Sequence, residues 1–161
     1  AAGASRDGSI GEDHTPETHL IPLILQTVQG IRDHITIFGT DYPTEDGTCI
    51  RDYIHVVDLA DAHCRVLQYL AEGGQPQAFN LGSQHGFSVR DMIGAAKAVT
   101  GRDFAVEEGP RRAGDPAALV ASSEKIRRLT GWQPQYSQIE TIIADAWKWH
   151  SGHPNGYDDK A

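Results

Sequence analysis

The sequence is short of most features that would mark a secreted, membrane-bound or metal-built protein. Its two cysteines, Cys49 and Cys64, form no CxxC pattern, which reads as free thiols in a reducing, cytoplasmic setting. The longest apolar run, residues 20–25, is interrupted by Pro22 and is far too short to span a bilayer, so no membrane partner is expected. The opening AAGASRDGSIGEDH has neither the basic nor the apolar stretch of a secretory signal. Basic residues are in deficit, 14 against 22 acidic, for a net charge of −8. Such a chain lacks the broad positive field that tracks a phosphate backbone, so nucleic acid is not an expected partner. Any phosphate must be held by a few well-placed arginines.

Several catalytic signatures are also missing. The eight histidines include neither HExxH nor a Cys/His pair, and His14, His19 and His34 are widely spaced. They read as surface or packing residues, and no metal is expected. No GxSxG elbow is present. Gly8 and Gly11 give only a lone GxxG with no strand before it, which is not a dinucleotide fingerprint. No tyrosine has a lysine four residues on: Tyr53 is followed by Val57, Tyr69 by Gly73 and Tyr136 by Glu140. There is no initiator methionine, so the chain reads as processed or as a fragment.

What is present is the material of a globular α/β fold. The 161 residues suffice for one domain or part of one, and 17 Gly and 8 Pro imply many turns. Pro22 predicts a helix over 23–29, stopped by Gly30. The run HITIF (34–38) predicts a strand. Residues 50–57 alternate as a longer strand with Arg51, Tyr53, His55 and Val57 on one face. Asp58 is placed as the N-cap of a helix through Leu70, ended by Gly73 and Gly74. A short buried strand is expected at 78–81. Ser88 with Asp91 forms a capping box opening a helix through Val99, with Gly101 beyond. Further expectations are a strand at 104–107, a short helix capped by Ser122, an amphipathic helix through Ile139, Ile142, Ile143, Ala146 and Trp147, and a loose tail from Ser151. Strands alternating with helices argue for an α/β protein.

Two sites could carry chemistry. Arg51 sits on a strand rich in Tyr, Ile and His and can present a planar fork to phosphate or carboxylate. It reads equally well as an ion pair with Asp52 or Asp58. The loop PRRAGDP (110–116) places Arg111, Arg112 and Asp115 together. Arginine can neutralise a diphosphate and aspartate can accept from sugar hydroxyls, while local ion pairing on a solvated loop is the plainer reading.

At these residues the sequence resembles a family. The run FGTDYPTEDGTCIRDYIHVVDLADAH is similar to the UDP-glucose 4-epimerases, which are extended short-chain dehydrogenase/reductases. GEDHTPETHLIP, FNLGSQHGFSV, PRRAGDPAALVASSEKIRRLTGW and the final helix ending WKWH match in the same order. The RDYIHVxDLA element is shared more widely among nucleotide-sugar enzymes, whereas the DYPTxDGT loop before it is more typical of the 4-epimerases.

The resemblance implies the C-terminal, UDP-sugar-binding portion of such an enzyme over 1–150, with 151–161 as a tail. In the family an N-terminal Rossmann domain holds NAD, and its Ser and Tyr-x-x-x-Lys act at the sugar's C4, interconverting UDP-glucose and UDP-galactose through a 4-keto intermediate. Those groups would lie before Ala1, so no NAD is expected on this chain alone. Pieces 58–71 and 78–82 would belong to the missing sheet domain, leaving apolar surface exposed. The full-length family is a homodimer through helices that are absent here.

By matching positions, Arg51 and Arg112 would contact the diphosphate and Asp115 the ribose hydroxyls. Leu20, Phe38 and Val89 would line the uridine side, Thr36 would offer backbone groups to uracil, and Tyr53 would adjoin the nucleotide. His19 stands where the family often has Asn. Leu119 stands beside the sugar where Tyr or a small residue is common, which leaves room for N-acetylated sugars. Two other readings remain: a stand-alone nucleoside-diphosphate-binding module, and a fragment of a related dehydratase or decarboxylase.

Overall fold

The structure is a computed structural model and describes residues 1–157. Among the described residues five helices and five strands are interspersed along the chain. In chain order they are α1 (Leu20–Val28), β1 (His34–Phe38), β2 (Ile50–Asp52), α2 (Val56–Ala71), β3 (Gly86–Ser88), α3 (Val89–Thr100), β4 (Ala105–Gly109), β5 (Ala118–Leu119), α4 (Glu124–Thr130) and α5 (Ile139–Gly152). The α/β class read from the sequence is therefore the observed one.

Two small sheets result. β1 pairs in parallel with β4, from His34 opposite Ala105 to Phe38 opposite Gly109. β2 is central in the other, antiparallel to β3 and parallel to β5. The main core lies where α1, α3 and α5 pack on one another and on β1, around Ile24, Leu25, Ile37, Met92 and Ile142, all at most 1% exposed. A smaller core under α2 joins Ala62, Ile126 and Trp132.

Local chemistry explains most boundaries. β1 alternates as its β-branched pattern requires, with Ile35 and Ile37 buried and the intervening side chains half-buried. α3 opens on the expected box: Ser88 Oγ accepts from the Asp91 N–H and the Asp91 carboxylate accepts from the Ser88 N–H. Gly101 closes it in the left-handed conformation, φ 64°.

Other expectations need correction. α1 begins at Leu20, three residues ahead of the predicted start, because Pro22 fits within a first turn whose N–H groups need no helical partner. β2 stops at Asp52, so the strand predicted through Val57 is much shorter. The Asp52 carboxylate accepts from the N–H groups of Ser83 and Ala121, and three residues later His55 starts α2. His55, not Asp58, is the N-cap: its Nδ1 accepts from the Val57 N–H at 3.1 Å. Asp58, 2% exposed, instead accepts from the Gln135 and Tyr136 N–H groups at 2.8 and 2.9 Å and fastens that loop to α2.

Residues 78–81 form no strand; among the described residues no strand pairs with them, and Phe79 and Leu81 pack against the small core instead. Ser123 rather than Ser122 occupies the N-cap of α4. The predicted strand at 104–107 starts one residue later and runs on to Gly109, as β4. The chain beyond Ser151 is tied down where a loose tail was expected: α5 runs to Gly152, His153 stacks on Trp149 at 3.8 Å, and the Tyr157 hydroxyl bonds to the Gly11 backbone. The last four residues of the predicted tail lie outside the described residues. Among the described residues no helix is long and apolar enough to cross a membrane.

Candidate functional site

The edges of both sheets and the start of α1 enclose a cavity of about 460 Å³. Six separate stretches of chain build it, the first being Ala1 and Ala2. His19 and Leu20 come from the opening of α1, Thr36 and Phe38 from β1, and Arg51 and Tyr53 from β2 and its exit. Val89 comes from the first turn of α3, and Arg112 and Asp115 from the loop after β4. Of the ten residues that the resemblance assigns to the nucleotide sugar, Leu119 lies elsewhere. It sits on β5 opposite Arg51 in the ladder and is 55% exposed.

Arg51 is held in place by backbone. One of its terminal nitrogens donates to the carbonyls of Ile50 and Pro116 at 2.8 and 2.9 Å, and the other lies 3.3 Å from the Asp115 carboxylate. Its acidic partner is thus Asp115, neither Asp52 nor Asp58. Asp115 and Arg51, 64 residues apart in sequence, form a positioned pair on the cavity wall.

The two adjacent arginines of the 110–116 loop divide their work. Arg111 turns outward: it donates to the Asp41 carboxylate and lies over the Tyr42 ring at 4.2 Å. That hydrogen bond holds the Asp41 carboxyl below its ordinary range. The contact depends on Gly39, whose φ is +87° and where a Cβ would stand 2.6 Å from both the Arg111 side chain and the Tyr42 ring. Arg112 turns inward and stacks on Phe38, its guanidinium carbon 3.9 Å from the ring centroid. Among the described residues it has no carboxylate partner, so its N–H fork is available to a ligand.

The cavity therefore offers a flat apolar wall of Leu20, Phe38 and Val89 beside two guanidiniums and one carboxylate. Tyr53 is a neutral phenol there, its pKa pushed up to about 12, chiefly by burial. Such a wall suits a planar base, and the guanidinium fork suits phosphate oxygens.

Sequence comparison adds its own finding. Residues 8–82 match the NAD dependent epimerase/dehydratase family. UDP-glucose 4-epimerase of Lacticaseibacillus casei is 57% identical over 159 residues, which is 99% of this chain and 48% of that protein. A crystal structure of UDP-glucose 4-epimerase superposes with a TM-score of 0.96 at 54% identity, covering 98% of this chain and 48% of the other. The chain is a relative of the UDP-glucose 4-epimerases. It spans about half the length of the curated relatives it matches. The enzyme from Stenotrophomonas maltophila, solved with bound NAD and formylated UDP-arabinopyranose, superposes with a TM-score of 0.91 at 37% identity over 95% of this chain and 46% of the other.

The cofactor of this family is a separate matter. A dinucleotide pyrophosphate needs a glycine-rich turn from a strand into a helix N-terminus. α2 opens on His55 and Val56, and α3 on Ser88 and Val89; neither turn is glycine-rich. The described residues do not fit NAD, and no step through it is drawn from them.

Sequence reasoning missed some cavity residues. Thr18, Arg32 and Cys49 also line it. Each is adjacent to or near a predicted element end, but nothing in its spacing distinguishes it from an ordinary loop residue.

Proposed function

We propose that this chain supplies the UDP-sugar-binding portion of a UDP-glucose 4-epimerase, an isomerase that interconverts UDP-glucose and UDP-galactose. Its partner is the nucleotide sugar, with the uracil against Leu20, Phe38 and Val89 and near the Thr36 backbone. Arg51 and Arg112 take the diphosphate, Asp115 accepts from the ribose hydroxyls, and Tyr53 and His19 border the nucleotide. The reading is carried by the convergence of nine residues, chosen from the sequence, on one cavity. It places hydride chemistry, NAD and the catalytic Ser, Tyr and Lys in the half of the relatives' length that this chain does not span, so the chain's own work is binding and orientation.

The same assignment explains the Arg51–Asp115 pair. Bound to each other they are pre-organised, and a ligand presenting phosphate to one and hydroxyls to the other satisfies both without rebuilding the wall. Calorimetric titration of the chain with uridine, UDP and UDP-glucose tests the reading. UDP and UDP-glucose should bind measurably tighter than uridine, with the difference falling as salt rises. Equal binding of all three would overturn it.

A further inference from the structure

The histidines that look scattered along the sequence are partly gathered by the loop between Gly11 and Leu20. Glu12, His14, Glu17 and His19 each offer one ligand atom, and the four atoms lie within 4.8 Å of one another. His19 Nδ1 is 2.9 Å from Glu12 Oε1 and 3.0 Å from Glu17 Oε1, while His14 Nδ1 is 3.8 Å from Glu17 Oε1. We propose that this cluster is a binding site for a divalent first-row transition metal of the zinc class.

The geometry is close to what such an ion needs. Metal–ligand bonds of about 2.0–2.1 Å in a tetrahedron set neighbouring ligand atoms about 3.4 Å apart. The three separations above bracket that value and the remaining pairs lie within 4.8 Å, so side-chain rotation closes the shell. Two imidazoles and two carboxylates select zinc, cobalt or nickel over magnesium and calcium, which take oxygen alone. Two carboxylates also balance a dication, giving a neutral site once the imidazoles are unprotonated.

The loop is built rather than draped. The Glu17 side chain is only 7% exposed, and its Oε1 accepts from the N–H groups of Thr18 and His19, both at 2.7 Å. These bonds aim the carboxylate as outer-shell donors do in established metal sites. The Glu12 carbonyl accepts from the Nε1 of the buried Trp149 at 2.9 Å, and the Gly11 N–H donates to the Tyr157 hydroxyl. Both anchors fix the loop to α5 and the segment after it. His14 and His19, 47% and 57% exposed at the side chain, leave an entry path from solvent. His19 also lines the cavity described above, so the two sites share a wall. The metal site does not depend on the nucleotide reading.

The test uses the full 161-residue chain carrying Cys49→Ser and Cys64→Ser, so that neither thiol can ligate. After treatment with a chelator, Co²⁺ should bind saturably at one per chain and develop the visible ligand-field bands of a four- or five-coordinate nitrogen and oxygen site. Zn²⁺ should displace it. His14→Gln and His19→Gln should each weaken the binding by about tenfold or more, since losing a ligand costs at least as much as losing an outer-shell partner. Both side chains are half exposed, and an unchanged far-ultraviolet circular dichroism spectrum establishes that the variants fold. His34→Gln, which alters a separate His–Glu contact, should leave the binding unchanged. No saturable cobalt spectrum, or binding undiminished in both the His14 and His19 variants, would overturn the proposal and leave the cluster as paired surface charges.

Discussion

Arg111 and Arg112 are neighbours in sequence and identical in chemistry, yet their partners give them opposite roles. Arg111 is committed to Asp41 and Tyr42, whereas Arg112 has only the Phe38 face beneath it. Removing Arg112 should therefore weaken UDP binding by about 1.5–3 kcal/mol, the usual worth of a charged hydrogen bond. Arg111→Ala should leave the affinity within about threefold, because its charge is already satisfied outside the cavity. Parallel titrations of the two variants decide the matter, and equal losses would mean the loop acts as a single cationic patch. Tyr53 offers a test by pH. An unfolded tyrosine ionises near 10, while the buried phenol holds its proton to about 12. Above pH 10 the unfolded state sheds a proton that the folded state keeps, so stability falls as pH rises from about 10 towards 12. The full loss is about 2–3 kcal/mol for a shift of that size. Spectrophotometric titration should show one late phenolate step in the native chain that is missing in Tyr53→Phe.

At the scale of elements, α3 is the most completely specified piece. Ser88 both caps the helix and donates to the Asp46 carboxylate from the loop between β1 and β2. Ser88→Ala should cost about 1–2 kcal/mol, the upper part of the usual range for a lost N-cap, because Asp46 also loses a partner. The denaturation midpoint in urea reads this out, and Ser88→Thr should restore most of it. α3 was legible because its cap, its acidic third residue and its closing glycine all lie within fourteen residues. β1 was legible for the same reason, since alternating β-branched residues need no distant information. The start of α2 was not. His55 serves as its cap only because the other ring nitrogen is held 3.0 Å from Asp145, ninety residues away. Likewise Asp58 looks like a cap in one dimension and acts as a loop fastener in three. The cavity residues were legible by family resemblance. Their meeting was not, because six short segments converge through packing that no spacing rule encodes. The His14–His19 cluster escaped for a related reason: an H-x4-H spacing alone is weak without a second ligand pair, and the two glutamates join it only through the folded loop.

The whole molecule is unevenly covered. α2 buries only Asp58 and Ala62 along its sixteen residues, while Leu67 is 69% and Leu70 40% exposed. Its own His63 and Val66, with Phe79, Leu81 and Ile126, form a largely apolar groove. Residues 78–81 run through this region with backbone in no ladder, and β1 with β4 makes a parallel sheet of two strands. Parallel sheets are normally larger and covered on both faces, and isolated strand pairs are marginal. Exposed apolar faces and open edges promote association, and a net charge of −8 opposes it only weakly at physiological salt. The chain by itself should therefore bind an apolar dye, sediment as concentration-dependent oligomers and unfold over a broad temperature range. Leu67→Lys places a charge at the centre of the exposed face while removing no buried contact. It should reduce dye binding and shift sedimentation towards the monomer without lowering the thermal midpoint. A wild-type chain that sediments as a monomer at all concentrations and melts sharply in the calorimeter would show that this face is stable in water as it stands. The half of the relatives' length that the chain does not span would then not be needed to cover it.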